Sequence, residues 1–408
     1  MRKTFVILMG AILMAVTGSA GAAPIPAVLD VSQRSDYSVL PDKTGVFSEN
    51  VEWLGNVVIS QDAVGGRIVG KYFYANDVNK VMIFDIKDPL NPTLTGAVPM
   101  PQEWELNRED LDGNSKIIIV PNTVRPERYE EGGVQGSGVV TNNLYVIDVE
   151  DKSNPQIIGQ APGGQHTQSC ILNCTWAYGS DGAIHDLRDP ANPKLMKEKW
   201  GDKLPAKGGH DVQEIAPGLV LTATQPQMLL DVRKNPLKPK LLAMGGNPDG
   251  RFIHSNRWPQ KGKDKFIIAG GEQNLTPRCS EDPSRGAFMT WDASKWKKTK
   301  SFTMIDQYYA KNGTYTDGNP PANPGIGGCS AHWLEAAPTF RNGGIVAMAF
   351  FGHGTRMFRV DKKGKIHEAG YFIPIAGETG AVYWVNKEIM YAVDYNRGID
   401  ILRYTGKH

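Results

Sequence analysis

The sequence predicts an all-β fold, and three observations carry that expectation. Short apolar runs recur along the whole chain, the joints between them are rich in Gly and Pro, and no helical period of useful length competes. The 408 residues hold 45 Gly and 27 Pro, together well above the roughly 12% of average usage, and both are spread rather than clustered. A hydrophobic share of 40% excludes intrinsic disorder, and four Cys are too few for a disulfide-built scaffold. Length alone allows two or three domains, but large all-β folds run past about 200 residues as one unit.

The first element is a targeting segment. Arg2 and Lys3 precede an apolar run from Phe5 to Val16, followed by the small residues at 18–23. A basic start, a short apolar core and an Ala-x-Ala end describe a secretory signal peptide over 1–23. The core is too short to span a bilayer, which needs about 20 apolar residues. The formal charge of +2 comes from 45 basic and 43 acidic residues, so removing Arg2 and Lys3 leaves a balanced chain. Without a long basic tract, nucleic acid is not an expected partner. No later run is long enough to insert in a membrane, and the expected destination is the periplasm or the medium.

The remainder, 24–408, reads as one repeat domain. The unit is an apolar strand ending in Asp, a turn rich in Pro and Asn, and another apolar strand. It reads VMIFDIKDPLNPTL at 81–94, LYVIDVEDKSNPQII at 144–158, AIHDLRDPANPKLM at 183–196 and MLLDVRKNPLKPKLL at 228–242. Weaker copies are FMTWD, MFRVD and GIDIL, so the strand-end aspartates are Asp85, Asp148, Asp186, Asp231, Asp292, Asp361 and Asp400. Each Asp is expected to accept hydrogen bonds from backbone amides of the turn that follows, and Pro presets the dihedrals of that turn. A tight turn and another strand precede each copy, giving a four-stranded antiparallel meander. One such sheet cannot bury both faces, and seven stacked radially can. The expectation is a seven-bladed β-propeller, with a β-sandwich or two small barrels as the alternative. The last unit stops after a third strand, GIDILRY, and VEWLGNV at 51–57 is expected to supply the fourth and close the ring.

This run of strand, Asp-x-x-Asp-Pro-x-Asn-Pro and strand resembles the LVIVD-repeat β-propellers of secreted bacterial proteins. Asp85–Pro92, Asp148–Pro155 and Asp186–Pro193 carry the resemblance, which implies the fold and leaves activity open.

Histidine placement carries the chemistry. His166, His210, His254 and His332 each follow a Gly-rich or small-residue loop and open the first strand of a blade. Forty-four residues separate His166 from His210 and His210 from His254, which is the repeat. First strands line a propeller's channel, so four imidazoles are expected at one mouth. They would hold a divalent transition metal such as Fe, Zn, Mn or Cu. Glu109 and Asp110 stand near the same position in blade two and permit a mixed shell. His353, in a turn reaching that face, and Glu272 are the candidates for proton transfer. The bland alternative is that each His caps a strand start; His185 is read that way. Four-His sites at a propeller axis also occur in carotenoid-cleaving oxygenases, a resemblance of position without shared motifs.

Cys170 and Cys174 flank a tight turn and are expected to pair, with a Cys-x-x-x-Cys metal half-site as the alternative. Cys279 lies in an insertion at 272–285 and Cys329 directly follows another at 308–328, and a bridge between them would tie a lid over the histidines. Trp176, Trp258 and Trp333 are expected to pack between blades. The function expected is a monomeric metal-dependent enzyme (oxidoreductase, hydrolase or lyase) acting on a small molecule. The alternative is a non-catalytic binding propeller. A lyase on acidic polysaccharide would want a basic cleft, and no Lys/Arg cluster accompanies the histidines in sequence.

Overall fold

The computed structural model describes residues 45–59, 63, 65–77, 80–101, 109–122, 142–246, 250, 252–272, 286–311, 328–374 and 377–408. The targeting segment 1–23, Cys279 and most of both insertions lie outside the described residues.

Seven antiparallel sheets follow one another along the chain. In the first blade Gly66–Val69, Tyr72–Asn76, Lys80–Asp85 and Thr93–Pro99 pair in succession. Blades two to six repeat that order, with first strands beginning at Asp112, Gln168, Asp211, Ser255 and Leu334. Blade six also carries a fifth strand, Gly45–Phe47, on its outer edge. The repeat does not predict it.

Apolar periodicity explains how the blades stack. Phe73 and Tyr74 are neighbours in one strand and point to opposite faces. Phe73 packs with Tyr391 and Ile401 of blade seven, and Tyr74 with Ile118 and Tyr145 of blade two. Because both faces are covered, the second and third strands are buried almost throughout. Burying one such side chain contributes about 1.5–3 kcal/mol, whereas a turn hydrogen bond contributes about 1 kcal/mol. Inter-blade packing therefore dominates stability, and the turns set register.

Those turns form as expected in six blades. Oδ1 of Asp85, Asp148, Asp186, Asp231, Asp292 and Asp361 each accepts the backbone N–H two residues on, at 2.8–3.1 Å. The Pro-containing turn then docks on the outer strand of the blade before it. A Cβ on Gly96 would lie 2.3 Å from Lys152 O, and one on Gly159 would lie 2.2 Å from Pro190 O. Only glycine allows that approach.

Asp400 corrects the pattern. It lies inside the strand Gly398–Tyr404 and not at a strand end. Val51–Val57 pairs there instead, with Val51 opposite Tyr404 and Val57 opposite Ile399, which closes the ring as expected. The Asp400 carboxylate accepts from Trp53 Nε1 and Asn56 Nδ2 at 2.9 Å and from Arg397 Nε and Nη2 at 2.7 Å. Cys170 and Cys174 form the expected disulfide. Cys329 is also disulfide-bonded.

Candidate metal centre

Four histidines immediately precede the first strands of blades three to six. The backbone N–H of His210, His254 and His332 donates to Ala223, Gly270 and Ala349, each the last residue of its blade's second strand. Equivalent backbone positions direct the rings to one point of the channel. Oε2 of Glu109, which precedes the first strand of blade two, lies there. Its distances are 3.2 Å to Nε2 of His254 and His332, 3.4 Å to His166 and 3.5 Å to His210. Oε2 of Glu272 stands 3.6 Å from His254 Nε2.

Among the described residues three sets of donor atoms lie within 4.8 Å of one another: Glu109 with His166 and His210, Glu109 with His254 and His332, and Glu272 with His210 and His254. Imidazole nitrogens with one or two carboxylates make a donor set for Fe, Zn, Mn or Cu. Two further observations fit a cation. Nδ1 of His210 and His254 and Nε2 of His210 are buried without a hydrogen bond, a cost of about 1–3 kcal/mol per group that a bound ion would offset at Nε2. His332 Nδ1 donates to the Gly380 carbonyl, and such an anchor directs the other nitrogen's lone pair inward. The 3.2–3.5 Å between Glu109 Oε2 and the imidazole nitrogens is close to the spacing of two ligands that each bind one ion at about 2.1 Å.

Electrostatics divides the cluster. Burial opposes ionisation of Glu109, but the histidines, His166 and His332 foremost, outweigh it and hold its carboxyl well below the usual range. Burial and the neighbouring rings push His210 well below its ordinary 6.5 and His254 below it. For His332 the facing carboxylates overcome burial and raise it. His210 is thus neutral in the metal-free fold where the unfolded chain takes up a proton, so its contribution to stability falls as pH drops below about 6.5. His332 acts with the opposite sign. Replacing His210 with Gln is expected to flatten the fall in Tm of metal-free protein between about pH 7 and pH 5. Equal slopes for both proteins would contradict this.

The remaining histidines are held elsewhere. His353 is buried, and its Nδ1 accepts Arg356 Nη2 at 3.1 Å; it joins none of the donor sets among the described residues. Phe351, two residues earlier, packs on the His332 ring with centroids 4.3 Å apart. His185 donates from Nε2 to Pro162 O and accepts Gln168 Nε2 at Nδ1, as a structural residue would. Trp176 and Trp258 pack as expected. Trp333 packs too, but it also touches the rings of His210, His254 and His332.

Further along the same strands lies a charged layer that sequence reasoning missed. Arg67 Nε meets Asp112 Oδ1 at 3.0 Å, and Arg257 meets Asp211 at 3.3 Å and Glu335 at 3.6 Å. Arg67, Asp112, Asp211 and Arg257 line a cavity of about 170 Å³ with Asp110 and Trp333. Burial, with Asp211 and Asp112 beside it, pushes Asp110 well above the usual carboxyl range. The available signal was position: Asp211 and Trp333 directly follow channel histidines, and Arg257 and Glu335 come three residues after.

Comparison with known proteins agrees with this architecture. The LVIVD repeat family matches residues 63–99, in blade one, and 138–161, which hold the third strand and most of the fourth strand of blade two. No curated protein matches the chain by sequence. Among solved structures, U3-55K aligns with a TM-score of 0.54 at 8% identity, over 88% of this chain and 99% of that one. Kuenenia stuttgartiensis hydrazine synthase aligns at 0.51 and 11% identity, over 84% and 96%. The periplasmic gluconolactonase PpgL of Pseudomonas aeruginosa aligns at 0.51 and 12%, over 81% and 88%. Likeness at these identities extends to the fold alone.

Proposed function

This chain is an LVIVD-repeat β-propeller, and we propose that it is an exported, monomeric, metal-dependent enzyme acting on a small molecule at the mouth of its channel. One observation carries the reading: four Nε2 atoms from blades three to six lie 3.2–3.5 Å from one carboxylate oxygen supplied by blade two. His166, His210, His254 and His332 would hold the ion, with Glu109 facing it. A bound ion of this class polarises a substrate oxygen or activates water. Glu272, next to His254 and only partly buried, is the group proposed to accept a proton at Oε2. His353 is the second proton-transfer candidate, on the strength of its turn reaching the same rim. Export rests on the amino-terminal segment. In the described residues no helix is long and apolar enough to cross a membrane.

A binding propeller with structural histidines has one observation in its favour. Glu109 Oε2 already accepts from His254 and His332 at 3.2 Å, so the centre holds hydrogen bonds of its own. Metal analysis of the purified protein separates the two readings. About one Fe, Zn, Mn or Cu per chain is expected, released by a chelator and restored on reconstitution. Less than about a tenth of an ion per chain, unchanged after reconstitution, would overturn the enzyme reading.

A further inference from the structure

We propose that the face opposite the histidines, across blades four to six, binds an acidic polysaccharide strand. The histidines precede first strands, so the turns joining strands one to two and three to four leave each blade at the far end. In these blades four of the six such turns read RKNPLKPK at 233–240, KGKDK at 261–265, KWKKTK at 295–300 and DKKGK at 361–365. They hold fourteen Lys and Arg against two Asp, in a chain whose net charge is +2. All fourteen basic residues are exposed. Of the two acids, Asp264 is buried, and its carboxylate accepts the backbone N–H of Phe266 and Asn342; Asp361 pairs with His367 Nε2 at 3.1 Å. Among the described residues only two of the fourteen meet a carboxylate, Arg233 with Asp231 and Lys365 with Asp306.

The turns form one surface. Met244 N–H donates to Lys300 O, joining blade four to blade five. Thr290 Oγ1 donates to Gly364 O, and Gln260 Nε2 to Phe340 O, joining five to six. Between the turns of blade five lies a groove of about 620 Å³, lined by Lys263, Lys265, Lys295, Lys297 and Lys298 around Trp296.

This chemistry selects the occupant. Unpaired like charges at such density attract a polyanion, whose binding releases counterions. Lysine ammonium groups are point charges without the bidentate fork of Arg, which suits carboxylates spaced along a flexible chain. The half-buried indole of Trp296 offers a surface for the apolar face of a sugar ring. A groove accepts a strand rather than a bilayer, and none of the large exposed hydrophobics among the described residues lies in these turns. The export read from residues 1–23 favours a glycan over nucleic acid. Nothing in this inference depends on the metal centre.

The test uses the full chain and polygalacturonate in a binding titration. Affinity is expected to fall steeply as salt rises from about 50 to 200 mM. The combined substitutions Lys295→Glu, Lys297→Glu and Lys298→Glu should weaken it about tenfold or more, with Tm and metal content unchanged. Lys116→Glu, on blade two, should have no effect. The proposal is overturned by absence of binding at low salt, or by equal affinity of the triple variant. Tighter binding to duplex DNA or to anionic phosphatidylglycerol vesicles than to polygalacturonate would also overturn it.

Discussion

Replacing His254 with Ala is expected to lower transition-metal affinity more than about a hundredfold, or roughly 3 kcal/mol. The residue stands at the junction of the cluster. Its Nε2 faces both Glu109 and Glu272, and its ring centroid lies 3.6 Å from that of His210 and 4.3 Å from that of His332. Losing it removes a nitrogen donor and leaves two carboxylates without their shared partner. Its Nδ1 has no hydrogen bond to lose, so the fold should survive and metal content can be read directly. Glu109→Gln keeps the shape and removes the charge, and a smaller loss of about 10–100-fold is expected. Calorimetric titration of metal-free protein measures both. Unchanged affinity in His254→Ala would show that the ion sits elsewhere.

Asp400→Ala should destabilise the protein by about 3–5 kcal/mol, the usual effect of removing one member of a buried ion pair. Arg397 and Asp400 are 0% and 1% exposed, and no solvent is available to replace the lost partner. The same change removes acceptors from Trp53 and Asn56, which hold the closing strand. Against a total stability of about 5–15 kcal/mol, that loss is large. Asp400→Asn keeps an acceptor for the closing strand and should fall between the two. Denaturant unfolding measures the difference. A loss below about 1 kcal/mol would show that ring closure rests on apolar packing alone.

How much of this could be read from the sequence depends on whether the signal was local. A strand, its Asp and its Pro turn are neighbours in the chain, so blade, register and turn chemistry were legible together. The four histidines were legible because they keep one phase of that repeat, and Glu109 because it shares the phase. The Gly45–Phe47 strand was not, since three residues pairing with Phe372–Pro374 leave no periodic trace. The Arg67–Asp112 and Arg257–Asp211 pairs each join different blades, and nothing in either local segment announces a partner. The basic face was missed for a related reason. Its lysines are dispersed over four turns, and only the ring gathers them. Asp400 was misread because motif matching saw the Asp and not the absence of a following turn.

Ring closure has a consequence for the order of folding. Val51–Val57 is made early and its partner Gly398–Tyr404 last, with Glu52 and Arg403 separated by 351 residues. During synthesis the early strand therefore presents unpaired amides and an apolar face with nowhere native to go, a standing invitation to mispairing. A chain held unfolded until all of it is available avoids that hazard, as happens when a protein is threaded across a membrane before it folds. Slow, highly non-local closure and delivery in an unfolded state are then mutually suited. The final step of maturation would be the meeting of an early strand with a late one.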